Sequence, residues 1–253
     1  MTHARFSRRL IVGLFALAPM LSPIPALAAS APASALKPAV APAGHLGIRP
    51  GAVVTGSGWA GYAATGSTYT SVTTTFTVPK LTCSASSGDA YAAFWAGLDG
   101  YSSSSVEQAG VLAECEDGTA VYVAWYEVYP ANPVYLSNTV KPGDVMTVTV
   151  AFSGTDTYTF TIADVTEGWT KTVKVASSGD ARSSAEVIVE APSTSGVLPL
   201  AKFGSVTFTG SKVDGATLGS FDPTAITSPG LTVSPITGGK QFTVTESNTV
   251  ALG

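Results

Sequence analysis

Along most of the chain, apolar and polar side chains alternate with a period of two. SVTTTFTV from Ser71, VMTVTVAF from Val145, TYTFTIADV from Thr157, SVTFTG from Ser205 and KQFTVTES from Lys240 each place apolar groups on one face and threonines on the other. AYAAFWAGLD from Ala90, AVYVAWYEVY from Ala120, KTVKVA from Lys171 and SAEVIVEA from Ser184 are equally strand-like. Clusters of Gly, Ser, Asp and Pro separate these segments, and FSGTDTYTF and VTEGWTKTV predict hairpins with glycine-containing turns. No segment shows a 3.6-residue apolar stripe and no repeat of fixed period appears. The predicted fold is therefore all-β, an antiparallel β-sandwich of two packed sheets.

The alternation also sorts the polar residues inside strands. In SAEVIVEAP, Glu186, Ile188 and Glu190 share one face while Val187 and Val189 share the other. In AFWAGLDG, Trp95 and Asp99 are predicted on one face, and in YVAWYEVYP, Val123, Trp125, Glu127 and Tyr129 are. Acids mixed with large aromatics on single faces suit the floor of a groove that binds an extended polymer. Each residue also has an ordinary reading: a solvated glutamate, a core tryptophan or, for Gln108 in the loop-like YSSSSVEQAG, a surface amide.

The N-terminal region has a different texture. Arg5, Arg8 and Arg9 precede the apolar run LIVGLFALA, and Ala26-Leu27-Ala28 follows it, so residues 1–28 read as a signal peptide and the protein as secreted. Residues 29–54, rich in Ala and Pro and free of acids, read as a pro-segment or linker, which leaves 55–253 as the folded domain. Its cations Lys37, His45 and Arg49 oppose an acidic domain, and such pairs weaken as carboxylates protonate, which predicts acid-triggered cleavage near Gly51 to Ser57.

Five of the 13 Lys and Arg precede residue 51, whereas all 17 Asp and Glu follow it, so the remainder carries eight cations against 17 anions, a net −9. Clustered cations for phosphate binding are missing, and neither nucleic acid nor membrane is an expected partner. The two cysteines, Cys83 and Cys115, form an even count that favours one disulfide in an oxidising compartment. Both histidines, His3 and His45, lie before residue 55. A Ser-His-Asp triad, a Cys-His pair and a His-based zinc site are thereby unavailable to the folded domain, and no metal or cofactor is expected. Hydrolysis would then fall to a carboxylate that takes a proton from water, with an amide or second acid stabilising the reacting group.

SGWAGYAATG, AAFWAGLDG, EQAG, AVYVAWYEVYP, SAEVIVEAP and VLPLAKFGSVTFTG occur in an order and approximate spacing that resembles the glutamic peptidases, the eqolisin or peptidase G1 family. The resemblance spans Ser57 to about Gly210. It implies two packed seven-stranded sheets in a concanavalin A-like sandwich, with substrate across the concave face. It also implies a metal-free acid endopeptidase acting on proteins or peptides, and a monomer is the expected state. By motif, the catalytic pair it implies is Gln108 of EQAG and Glu190, the second glutamate of AEVIVE. Trp59, Trp95, Asp99, Trp125, Glu127 and Glu186 are the implied substrate-binding or supporting residues. Two departures stand out: Val123 occupies a position where the fungal pattern has an acid, and the stretch between Asp99 and Gln108 is one residue shorter.

The rival reading is a secreted glycoside hydrolase or carbohydrate-binding module on the same sandwich. Glutamates four apart on a straight strand lie roughly 13 Å apart, farther than glycosidase carboxyl pairs of about 5.5 to 9.5 Å.

Overall fold

The structure is a computed structural model that describes residues 53–55, 58–193 and 197–247. The expected signal peptide and nearly all of the expected pro-segment lie outside the described residues. In chain order the strands are β1 (Val53–Thr55), β2 (Trp59–Thr65), β3 (Ser71–Thr77), β4 (Ala90–Leu98), β5 (Val106–Glu116) and β6 (Thr119–Tyr129). Then come β7 (Val134–Thr139), β8 (Val145–Phe152), β9 (Thr157–Asp164), β10 (Trp169–Ala176) and β11 (Ser184–Glu190). β12 (Ser205–Val213), β13 (Ala216–Thr217), β14 (Thr224–Thr227), β15 (Leu231–Val233) and β16 (Phe242–Glu246) complete the order. Among the described residues the helical content is two short 3-10 turns, Ala85–Ser87 and Leu218–Phe221.

The strands form two sheets. The first runs β1-β14-β2-β11-β4-β5-β6-β7 and the second β10-β9-β8-β3-β12-β16-β15, with β13 on β12. Each therefore pairs eight strands where seven were expected. The additions are the two-residue β13 and β1, which pairs parallel with β14. Val53 and Val54 thus belong to the first sheet, so the boundary expected after residue 54 falls inside a strand.

The second sheet follows the alternation closely. Tyr158, Phe160 and Ile162 of β9 and Met146, Val148 and Val150 of β8 point inward, and the intervening threonines do not. Phe76, Phe208 and Phe242 form an aromatic line across β3, β12 and β16, with ring centroids 5.5 Å and 5.1 Å apart. The first sheet answers this bulk with small residues: Ala60, Ala64, Ala92, Ala96, Ala109, Ala113, Ala124 and Ala185 face the same core. Large on one side and small on the other is how two facing layers reach native packing density. Cys83 and Cys115 are bonded, with Cα atoms 5.5 Å apart, and fasten the end of β5 to the segment before β4.

Candidate active site

The other face of the first sheet holds a second apolar cluster built around Trp59, Trp95, Trp125, Leu112 and Ile188. Register makes its layout explicit. One row across β2, β11, β4, β5 and β6 reads Trp59, Glu190, Ala93, Leu112, Val123. The next reads Gly61, Ile188, Trp95, Gly110, Trp125, and the third Ala63, Glu186, Gly97, Gln108, Glu127. Acids and the amide occupy the outer rows, and the indoles of Trp95 and Trp125 lie between them.

Gly110 makes room for that middle row. A Cβ there would overlap the Phe94 carbonyl oxygen and lie 2.7 Å from Trp95 Cβ. Trp95 then packs edge-on against Trp59, centroids 4.8 Å apart, and its Nε1 donates a 2.9 Å hydrogen bond to Glu190 Oε2. The indole that shapes the floor therefore also orients the carboxylate.

Glu190 and Glu127 line the same cavity, walled by Ala93, Leu112, Trp125, Pro133, Tyr135 and Pro192. Gln108 stands beside it, fully buried, and its Nε2 donates to Glu127 Oε2 at 2.8 Å. Gln108 Oε1 is buried and has no hydrogen-bond partner. The structure thus brings Glu190, Trp95, Trp59, Trp125, Glu127 and Gln108 to one face. Gln108 and Glu190 are separated by one row of that face, and Glu127 is the residue that links the amide to the cavity. A larger concavity on the second sheet, lined by Thr75, Thr77, Thr207, Thr209 and neighbouring apolar groups, contains no acid or base and offers no proton chemistry.

Two expectations are corrected. Gln108 is not in a loop: β5 begins at Val106, and the amide is an interior strand residue. Asp99 does not share the face of Trp95, because β4 ends at Leu98 and Asp99 adopts φ 67°, which turns it out of the strand. Its carboxylate accepts the backbone N–H groups of Arg182 and Ser183 and the hydroxyls of Ser103 and Ser183, a clasp on the connection that enters β11. Glu186 points to the site face and is completely buried. Burial, with Asp99 and Glu107 adding repulsion, holds its carboxyl well above the usual carboxylate range.

Of the cavity walls, sequence reasoning named Trp125 and missed the rest: Ala93 was recoverable from alternation with Trp95 on β4 and Leu112 from a strand over Val106–Glu116, whereas Pro133, Tyr135 and Pro192 reach the cavity only through the fold.

A sequence profile of the Peptidase A4 family matches residues 57–250. Aspergillopepsin-2 of Aspergillus niger is 33% identical over 195 residues, covering 67% of this chain and 69% of that protein. Among solved structures, aspergilloglutamic peptidase from Aspergillus niger is 30% identical with a TM-score of 0.53, covering 62% of this chain and 99% of that one. Scytalido-glutamic peptidase, solved with a transition state analog inhibitor, shares the fold at a TM-score of 0.65 and 24% identity, covering 75% of this chain and 98% of that one. The chain belongs to the Peptidase A4 (eqolisin) family and is a glutamic peptidase, a hydrolase of protein or peptide substrates.

Proposed function

We propose that this endopeptidase cuts its substrates in acid with Glu190 as general base and Gln108 as the oxyanion-side group. Glu190 takes a proton from water, whose oxygen attacks the scissile carbonyl carbon. The carbonyl oxygen becomes an oxyanion that accepts a hydrogen bond from Gln108 Nε2. Glu190 then returns the proton to the amine as the C–N bond breaks, leaving a carboxylic acid and a free amine. An amide suits this position because it keeps its N–H donors at any acidic pH.

The observation that carries the reading is the pair of fixed hydrogen bonds: Trp95 Nε1 to Glu190, and Gln108 Nε2 to Glu127. Each holds a reacting group in one orientation, which is the condition for preorganised catalysis. One hydrogen of Gln108 Nε2 is engaged by Glu127 and the second serves the substrate. The apolar walls of the cavity, Ala93, Leu112 and Trp125, favour an uncharged substrate side chain beside the scissile bond. Export belongs to the same reading, supported by the pattern of residues 1–28 and by a disulfide suited to an oxidising compartment.

A second reading follows from one observation: Glu127 lines the cavity with Glu190, whereas Gln108 does not. A protonated Glu127 would then donate to the oxyanion. Hydrolysis of a denatured protein between about pH 2 and pH 7 separates the two. Loss of activity in Gln108→Ala by roughly 100-fold or more, with Glu127→Gln retaining most of it at the lower end, supports the first reading. The opposite ranking assigns the role to Glu127.

A further inference from the structure

The middle row of the site face, Gly61, Ile188, Trp95, Gly110 and Trp125, lies between the row that carries Glu190 and the row that carries Gln108. A scissile carbonyl reached from both outer rows sits over this one, so a further donor to it has to come from here. Glycine and isoleucine side chains offer none. Trp95 has an indole N–H, but Glu190 engages it. Trp125 has the other, and its Nε1 is buried without a hydrogen-bond partner. The residue is 5% exposed and lines the cavity shared by Glu190 and Glu127.

A buried indole N–H normally finds an acceptor, because it has given up its hydrogen bond to water. The surroundings of Trp125 supply none. Leu112 and Val123 stand in the row on one side, and Val123 occupies the position where the fungal pattern has an acid. On the other side, Glu127 Oε2 is taken by Gln108 Nε2. Across the strands, Trp125 pairs with Gly110 on β5 and Tyr135 on β7. A floor made only for packing would be served by phenylalanine, which has no N–H to satisfy. An orphan donor midway between the base and the amide calls for an acceptor that arrives with the substrate.

We propose that Trp125 Nε1–H is a second donor of the oxyanion hole, acting with Gln108 Nε2 on the scissile carbonyl oxygen. The proposal rests on the pair of Glu190 and Gln108 and adds a catalytic residue to it. As water attacks the carbonyl carbon, the oxygen gains negative charge. The indole donates a hydrogen bond to that oxygen and keeps its proton throughout. Like the amide, it donates without titrating in acid. A donor with no partner in the free enzyme has no bond to break when the charge appears, so its contribution falls on the transition state and not on substrate binding.

Steady-state kinetics on one peptide substrate at acidic pH test it, for wild type, Trp125→Phe and Glu190→Gln. Affinities are measured alongside for two ligands: the same peptide with a secondary hydroxyl in place of the scissile carbonyl, and a cleaved product peptide. Trp125→Phe keeps an aromatic ring and removes the N–H. It should lower kcat roughly 100-fold and leave KM within about threefold of wild type. Affinity for the hydroxyl peptide should fall about tenfold or more, and affinity for the product peptide should hold. A kcat within about threefold of wild type, or equal losses of affinity for the two peptides, would overturn the proposal and leave Trp125 as packing. If Trp125→Phe does not fold, the indole N–H signals of isotope-labelled wild type carry the test. The Trp125 signal, assigned through Tyr135, should move downfield when the hydroxyl peptide binds, and an unmoved signal overturns the proposal. Failure of the underlying pair reads differently, as activity retained in Glu190→Gln.

Discussion

β8 and β9 of the second sheet bury every other side chain, whereas β5 and β11 of the first are buried along almost their whole length. The second sheet has one job, to close the core, and its outer face is a ladder of threonines such as Thr75 with Thr147 and Thr207 with Thr243. The first has two, since its inner face packs the core with alanines and its outer face holds tryptophans, acids and an amide under cover. Function here is written as a loss of simple alternation. Where both faces are buried, every residue has a close neighbour on each side, and substitutions should cost more.

That contrast can be broken or sharpened by mutation. The largest structural effect is expected from removing the staple of the first sheet. The Cys83–Cys115 bond joins residues 32 apart, and Cys83→Ser with Cys115→Ser should cost about 4 kcal/mol on the loop-entropy model, read as a lower urea midpoint. Gly110→Ala comes next, at about 3 kcal/mol, because the new methyl meets the Phe94 backbone and Trp95 Cβ with no flexible side chain to yield. Activity should fall with it, since Trp95 holds Glu190.

Asp99→Ala should cost about 2 kcal/mol by orphaning the N–H groups of Arg182 and Ser183, a smaller loss because that connection is partly exposed. The smallest effect, about 0.5 kcal/mol, is expected for Thr207→Ala on the outer face of the second sheet, where one threonine pair is lost and the site is untouched. A loss at Thr207 equal to that at Gly110 would erase the distinction between the sheets.

The same contrast explains what the sequence reveals. β3, β8, β9 and β16 are legible as strands because one face is core and the other wet, so composition alternates with the pleat. β2, WAGYAAT, offers small residues with little strand preference, and only its register against β11 shows its place. The start of β5 reads as a loop because Ser102 to Ser105 precede two polar residues, Glu107 and Gln108, whose burial comes from strands distant in sequence. Glu190 is legible as an acid on an apolar strand, yet its indole partner is 95 positions away. Asp99 misleads for a local reason: alternation was carried one residue past the end of β4, into a left-handed turn.

The central claim is that Glu190, held by Trp95, is the base, and that Glu186, four residues before it on the same face, is a buried neighbour. Measuring kcat/KM on a peptide substrate at acidic pH for Glu190→Gln and Glu186→Gln tests it most directly. The account predicts a loss of roughly 1,000-fold or more for Glu190→Gln, with an unchanged urea midpoint, and a loss under about tenfold for Glu186→Gln. Comparable losses in both, or the larger loss at Glu186, would contradict it.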